Sequence, residues 1–211
     1  MKILLSTLAT AAILAGAGAA NAGVVLSDNF DSDTAVLNWP GDATFLSIPQ
    51  PGNVPGMPSV DLVGDGDGFG NLAFSGNSVD LDGSTGGGFS PAGQIQSVAS
   101  LATANYTVSF VAAGNLRGAA AQTLTVAIGD QSQSFVIPAG QGYQAYNLTF
   151  TGASGQVSFI DSGPASQQGN LIDNVAVSVP EPATWAVMML GFGGMGAAMR
   201  NKRRKLAVSA A

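Results

Sequence analysis

Oxygen is the only ligating chemistry that the middle of this chain offers. The 211 residues contain no Cys and no His, which excludes nucleophilic triads of the Ser-His-Asp and Cys-His kinds and disfavours a zinc or copper site. Aspartates remain. Asp61, Asp65 and Asp67 stand in the run Asp61-Leu62-Val63-Gly64-Asp65-Gly66-Asp67-Gly68, with Asn71 close behind. Glycines let the backbone turn so that carboxylates and carbonyls converge, as a hard cation such as Ca2+ requires. The EF-hand spacing and its closing Glu are missing, and ordinary Asp-Gly turns on an acidic surface explain the same residues. Asp80 and Asp82, two residues apart, share one side of a strand-like segment. Together with Asp28, Asp31 or Asp173 they form a second candidate Ca2+ site between sheet edges. The alternative is that they cap the Gly-rich turn at 83–88. Paired Asp also serve glycoside hydrolases as acid and base. Such a site wants an aromatic-rimmed cleft, and residues 23–179 hold one Trp and one Arg.

That Arg is Arg117, set against 12 Asp and no Glu between residues 23 and 179, a formal charge of −11 there. It is expected to pair with a carboxylate such as Asp82 or Asp173, or else to hold a ligand through its planar donor fork. Trp39, Tyr143 and Tyr146 are candidate sugar-stacking rings, with core packing the stronger reading for Tyr146. So acidic a segment repels nucleic acid and anionic lipid. The lack of Cys removes disulfides without assigning a compartment.

The elements that must position these residues are short and alternating. Tyr106, Val108 and Phe110 face one way and Thr107 and Ser109 the other. Leu124, Val126 and Ile128 repeat the pattern, as do Tyr146, Leu148 and Phe150, then Val157 and Phe159, then Val175, Val177 and Val179. Weaker candidates lie at 24–26, 44–48, 60–63, 78–81 and 94–98. Period-two runs bounded by Gly, Pro, Asn and Asp predict about ten short strands in an all-β antiparallel sandwich, a jelly roll. Residues 50–58, rich in Pro and Gly, read as a long loop.

Both ends carry segments outside that fold. Residues 1–22 read as a cleaved signal helix for signal peptidase. Lys2 gives the positive region, residues 3–15 the apolar run, and Ala20-Asn21-Ala22 the cleavage site before Gly23. At the other end Pro180-Glu181-Pro182 precedes an uncharged stretch, residues 183–199, and then Arg200, Lys202, Arg203, Arg204 and Lys205. The apolar stretch is expected to be a short transmembrane helix, and basic residues directly after it hold that end in the cytoplasm.

Pro180-Glu181-Pro182, with Trp185-Ala186 two residues on, a Met- and Gly-rich span and a basic cluster resemble the PEPxxWA form of the PEP-CTERM sorting tail. The resemblance implies export across the inner membrane, with a transient anchor there. It also implies cutting near the PEP motif by an exosortase, a membrane protease or transpeptidase, with delivery to the surface or exopolysaccharide matrix of a biofilm-forming cell. Asp28-Asn29-Phe30-Asp31, residues 79–84, residues 106–117 and Leu171-Ile172-Asp173-Asn174-Val175 together resemble galactose-binding-like and carbohydrate-binding-module jelly rolls. That resemblance implies a structural Ca2+ site and a glycan-binding face. The expected organisation is a signal at 1–22, a sandwich passenger at 23–179, the sorting signal at 180–205 and a tail at 206–211. The reading is a non-enzymatic surface or matrix protein, glycan-binding or purely structural, with an Asp-dependent hydrolase as the lesser alternative.

Overall fold

The computed structural model describes residues 23–49, 60–64, 72–83, 93–118, 120–163, 166–180, 189–196 and 200. Nine strands lie among them: β1 Gly23–Asp28, β2 Phe45–Ile48, β3 Asp61–Val63, β4 Ser78–Asp80, β5 Gln94–Ala113, β6 Gln122–Ile128, β7 Gln131–Ile137, β8 Gln144–Ser162 and β9 Leu171–Val179. All pairings are antiparallel, along the path β3-β4-β9-β5-β8-β6-β7, with β1 added to β9 and β2 to β5.

Two long strands turn this path into a sandwich. The first part of β5 runs between β2 and the end of β8, while its last part runs between β9 and the start of β8. Register shifts between Gln96 and Ser100, Leu101 and Ala104, and Ala104 and Tyr106 break the ladder midway. Such shifts bend a strand and raise its twist. Opposite them, β8 passes through Gly152 and Gly155 at positive φ. A Cβ on Gly155 would stand 2.8 Å from the Cα of Gly129, so only glycine fits where these backbones meet. The expected strands at 94–98 and 106–110 are therefore two arms of one strand, as are those at 146–150 and 157–159.

The alternating residues meet between the layers. Tyr106, Val108, Phe110, Leu124, Val126, Ile128, Phe150, Val157, Phe159, Val175 and Val177 are all buried in one cluster. Phe110, on the last part of β5, meets Phe159 edge-on at 5.1 Å and stacks on Tyr146 at 5.3 Å. Each fully buried large apolar side chain contributes about 1.5–3 kcal/mol over its exposed state. The strand β7 carries Gln131, Ser132, Gln133 and Ser134 in place of an apolar run, so the alternation does not announce it. Gly129, at φ +59°, opens the two-residue turn that folds it back on β6.

The expected signal helix, residues 1–22 with Ala20 and Ala22, lies outside the described residues. So do Glu181, Pro182, Trp185, Ala186, Lys202, Arg203, Arg204 and Lys205. Residues 189–196 and Arg200 are helical, with Met189, Leu190, Phe192 and Met195 exposed. Among the described residues no helix is long and apolar enough to cross a membrane.

Candidate functional site

The first residues of β9 organise a buried polar end of the sandwich. Asp80 lies across from Leu171 on β9 and from Asp61 on β3. Both its carboxylate oxygens are engaged. Oδ1 accepts the Gly169 amide at 2.8 Å and the Asp82 amide at 3.1 Å, and Oδ2 accepts from the Arg117 guanidinium. Asp80 is fully buried and the Arg117 side chain is 25% exposed. Burial pushes the Asp80 carboxyl up to about 7, against the downward pull of Arg117. The expected partner of Arg117 was Asp82 or Asp173. The pairing is with Asp80 instead, and one oxygen of Asp82 is held by a different loop.

That loop is 166–169. Asp82 Oδ2 accepts the Ser166 amide at 2.8 Å and the Ser166 hydroxyl at 3.0 Å, with the Gln168 amide at 3.4 Å. Asp61 is buried and accepts the Asn38 amide at 2.7 Å. Asp173 is turned inward beside an extra residue in β9, Asn174 at φ +51°, where the register against β5 shifts. It accepts the Ser78 hydroxyl at 3.2 Å, and burial raises its carboxyl to about 6. Asp65 and Asp67 lie outside the described residues. Asp61, Asp80 and Asp82 thus hold loops and strand ends together. Among the described residues no three acidic side chains form a metal-holding group. Asp80 and Asp82 have no exposed surface, so a polysaccharide does not reach them as an acid and base pair.

Trp39 corrects the sugar-stacking expectation. It is 2% exposed, packs edge-on against Phe30 at 5.9 Å and donates its indole N–H to Asp33 at 3.0 Å. Its ring faces are taken up by the core. Tyr143 keeps an open side. Its hydroxyl donates to the Leu72 carbonyl at 2.9 Å, and its ring lies 5.1 Å from Phe74, which is 49% exposed. Burial raises the Tyr143 phenol strongly, and the charges of Asp173 and Asp80 raise it further. Tyr146 joins the core stack between Phe110 and Phe135, as its alternation indicated.

Sequence reasoning missed Phe74, Asp161 and Asn170. Asp161 was legible: it continues the inward series Val157, Phe159, so a carboxyl falls on a core-facing position. Burial lifts it to about 7, while Asn170 donates its backbone amide and its side-chain amide to the two carboxylate oxygens at 2.9 and 3.1 Å. Phe74 carries no such signal. A separate open pocket of about 450 Å³ is lined by Ser27, Asp28, Asn29, Ser32, Thr44 and Asn174. Half-burial and the neighbouring Asp42 raise Asp28 there.

Residues 178–204 match the PEP-CTERM protein-sorting motif. A comparison with curated proteins finds no match. Among solved structures, the chain is similar to the K1 cleaved adhesin domain of Lys-gingipain from Porphyromonas gingivalis W83. That likeness has 13% identity and a TM-score of 0.52, over 73% of this chain and 97% of that one. Similarity to the CBM22-1 xylan-binding domain of Paenibacillus barcinonensis Xyn10C gives 15% identity and a TM-score of 0.49, over 79% and 100%. At 13% identity the likeness to the adhesin domain is one of fold alone. The chain therefore carries a PEP-CTERM sorting motif behind an all-β antiparallel sandwich.

Proposed function

We propose that the protein is exported, cut near Pro180-Glu181-Pro182 by an exosortase-type membrane protease, and displayed at the cell surface or in the extracellular matrix. There its sandwich binds glycan without hydrolysing it. The sorting motif at 178–204 carries the first half of this reading. The exposed Phe74 ring beside Tyr143 supports the second. An aromatic face suits the apolar face of a pyranose, and the partly exposed Arg117 adds a planar donor fork for hydroxyls or a sugar carboxylate.

A purely structural matrix role is the second reading. It is favoured by exposed polar pairs on the sheet faces, Ser109 with Asn147 at 2.7 Å and Thr125 with Ser134 at 2.8 Å. Retention of the protein on insoluble polysaccharides separates the two. Binding that Phe74→Ala abolishes, with no reducing ends released, supports the glycan-binding reading. No retention on any polysaccharide, with the fold intact, leaves the structural one.

A further inference from the structure

Among the described residues, the strands that border the two layers are guarded, with one exception. The outer side of β2 is met by Gly41, opposite Leu46, and that of β3 by Val36, opposite Leu62. The strand β1 is broken by a register shift between Val24 and Leu26. The first arm of β8 pairs with β5 and not with β6, and its free side is capped from the other layer. There the Gln131 and Gln133 side-chain amides donate to the Thr151 and Thr149 carbonyls at 3.0 and 2.8 Å. The exception is β7. It pairs with β6 from Ile137 opposite Gln122 to Gln131 opposite Ile128 without a shift, and no described residue pairs with its outer side.

A regular, unpaired edge is a template for another strand, and proteins ordinarily blunt it with charge, proline or a bulge. Residues 131–137, Gln-Ser-Gln-Ser-Phe-Val-Ile, hold none of the three. Their inward side chains are engaged: Gln131 and Gln133 by β8, and Phe135 by Tyr146 at 4.9 Å. The outward ones, Ser132, Ser134 and Val136, are exposed, Val136 to 63%. Charge decides what pairs there. Between Arg117 and Asp161 the only charged residue is Asp130, so two copies of this −11 segment meet least repulsion along β7. A two-fold axis that keeps inner and outer faces aligned must pass through a residue, and full overlap puts it at Ser134. Ser132 then faces Val136 of the second copy. The two Asp130 carboxylates stand roughly 27 Å apart along the seam, beyond the screening length of about 8 Å in physiological salt.

We infer that two copies of this chain join through β7, antiparallel about a two-fold axis at Ser134, so that one continuous sheet runs across the pair. The Gln131 and Gln133 caps withhold the neighbouring β8 edge, which confines joining to one seam. The product is a closed pair and not a fibre. A one-strand seam is small beside the roughly 1,200 Å² of a stable interface, so the pair forms and parts with concentration. It stands whether or not the sandwich holds glycan.

The chain has no Cys, so single cysteines report the seam directly. In the full chain in detergent, Ser134→Cys sets two thiols opposite each other on the axis. A short bis-maleimide should link them into a dimer whose fraction falls on dilution. Asn147→Cys, exposed on the capped arm of β8, should stay monomeric, which separates the seam from association through the apolar tail. Ser134→Lys opposes like charges at the axis and should weaken pairing roughly fivefold in sedimentation. Mixing it with Ser134→Asp should restore pairing at least to the wild-type level, a rescue that a misfolded variant does not give. Absence of a Ser134→Cys dimer at every concentration overturns the inference. So does equal linking of Asn147→Cys, or a Lys and Asp mixture that pairs no better than Ser134→Lys alone.

Discussion

Gly23 and Val179 are register partners at the shared end of β1 and β9. The two points at which the chain leaves the sandwich are therefore side by side. The expected signal-cleavage position before Gly23 and the Pro180 that opens the PEP motif border the same sheet edge. The strand β9 then runs nine residues, roughly 30 Å, to Leu171 beside Asp80. A sandwich tethered at Pro180 turns its Arg117–Asp80 end away from the tether. Pro180 cannot continue the ladder, so the paired backbone stops where the Pro-Glu-Pro stretch starts.

The sorting tail should behave as a processing signal. Replacing Pro180-Glu181-Pro182 with Ala, or deleting residues 200–205, should leave the product at its uncut mass in the native host. Intact-mass measurement reads the outcome. A wild-type product that retains residues 183–211 would remove cutting from the account and leave a plain anchor.

Arg117→Ala should destabilise the sandwich by roughly 3 kcal/mol near pH 7.5, because it leaves Asp80 buried without its cation. Urea unfolding measures this. The loss should shrink near pH 5.5, where Asp80, already raised to about 7 by burial, takes a proton and no longer needs the charge. An equal loss at both pH values would mean that Arg117 acts through packing alone.

Trp39 and Phe74 should separate stability from binding. Trp39→Ala removes a core ring and should cost about 3–5 kcal/mol. Phe74→Ala, at a half-exposed position, should cost about 1 kcal/mol or less yet remove polysaccharide retention. Retention by a folded Phe74→Ala protein equal to that of wild type would place any glycan elsewhere.

Stability without divalent cations should fall as pH rises. Burial raises the Asp161 carboxyl from its ordinary value near 4 to about 7, so the folded state keeps a proton that the unfolded chain releases. That contribution is fully present below about pH 4 and is lost as pH climbs through 7. Melting in EDTA should therefore be several degrees lower at pH 8 than at pH 5, and Asp161→Asn should flatten the difference. A melting temperature that rises over this range would contradict the burial of a neutral Asp161.

The sequence by itself determined the strand character of the passenger, most of its inward residues and the order of its C-terminal tail. Those features are local. Alternation at Tyr106–Phe110 or Leu124–Ile128 requires only that successive side chains point to opposite faces, and a Pro-Glu-Pro motif followed by an uncharged stretch and a basic cluster is read along the chain. The tertiary structure decided what depends on residues far apart. It joined the arms of β5 and of β8 through bends, and it placed polar β7 on the edge of β6 through a two-residue turn. It also drew Trp39 into the core against Phe30, gave Arg117 to Asp80, and set the 166–169 loop against Asp82. A carboxylate's partner depends on which strands lie beside it and which loop reaches it first. Neither is set by the neighbours of Asp80 or Asp82 in the chain.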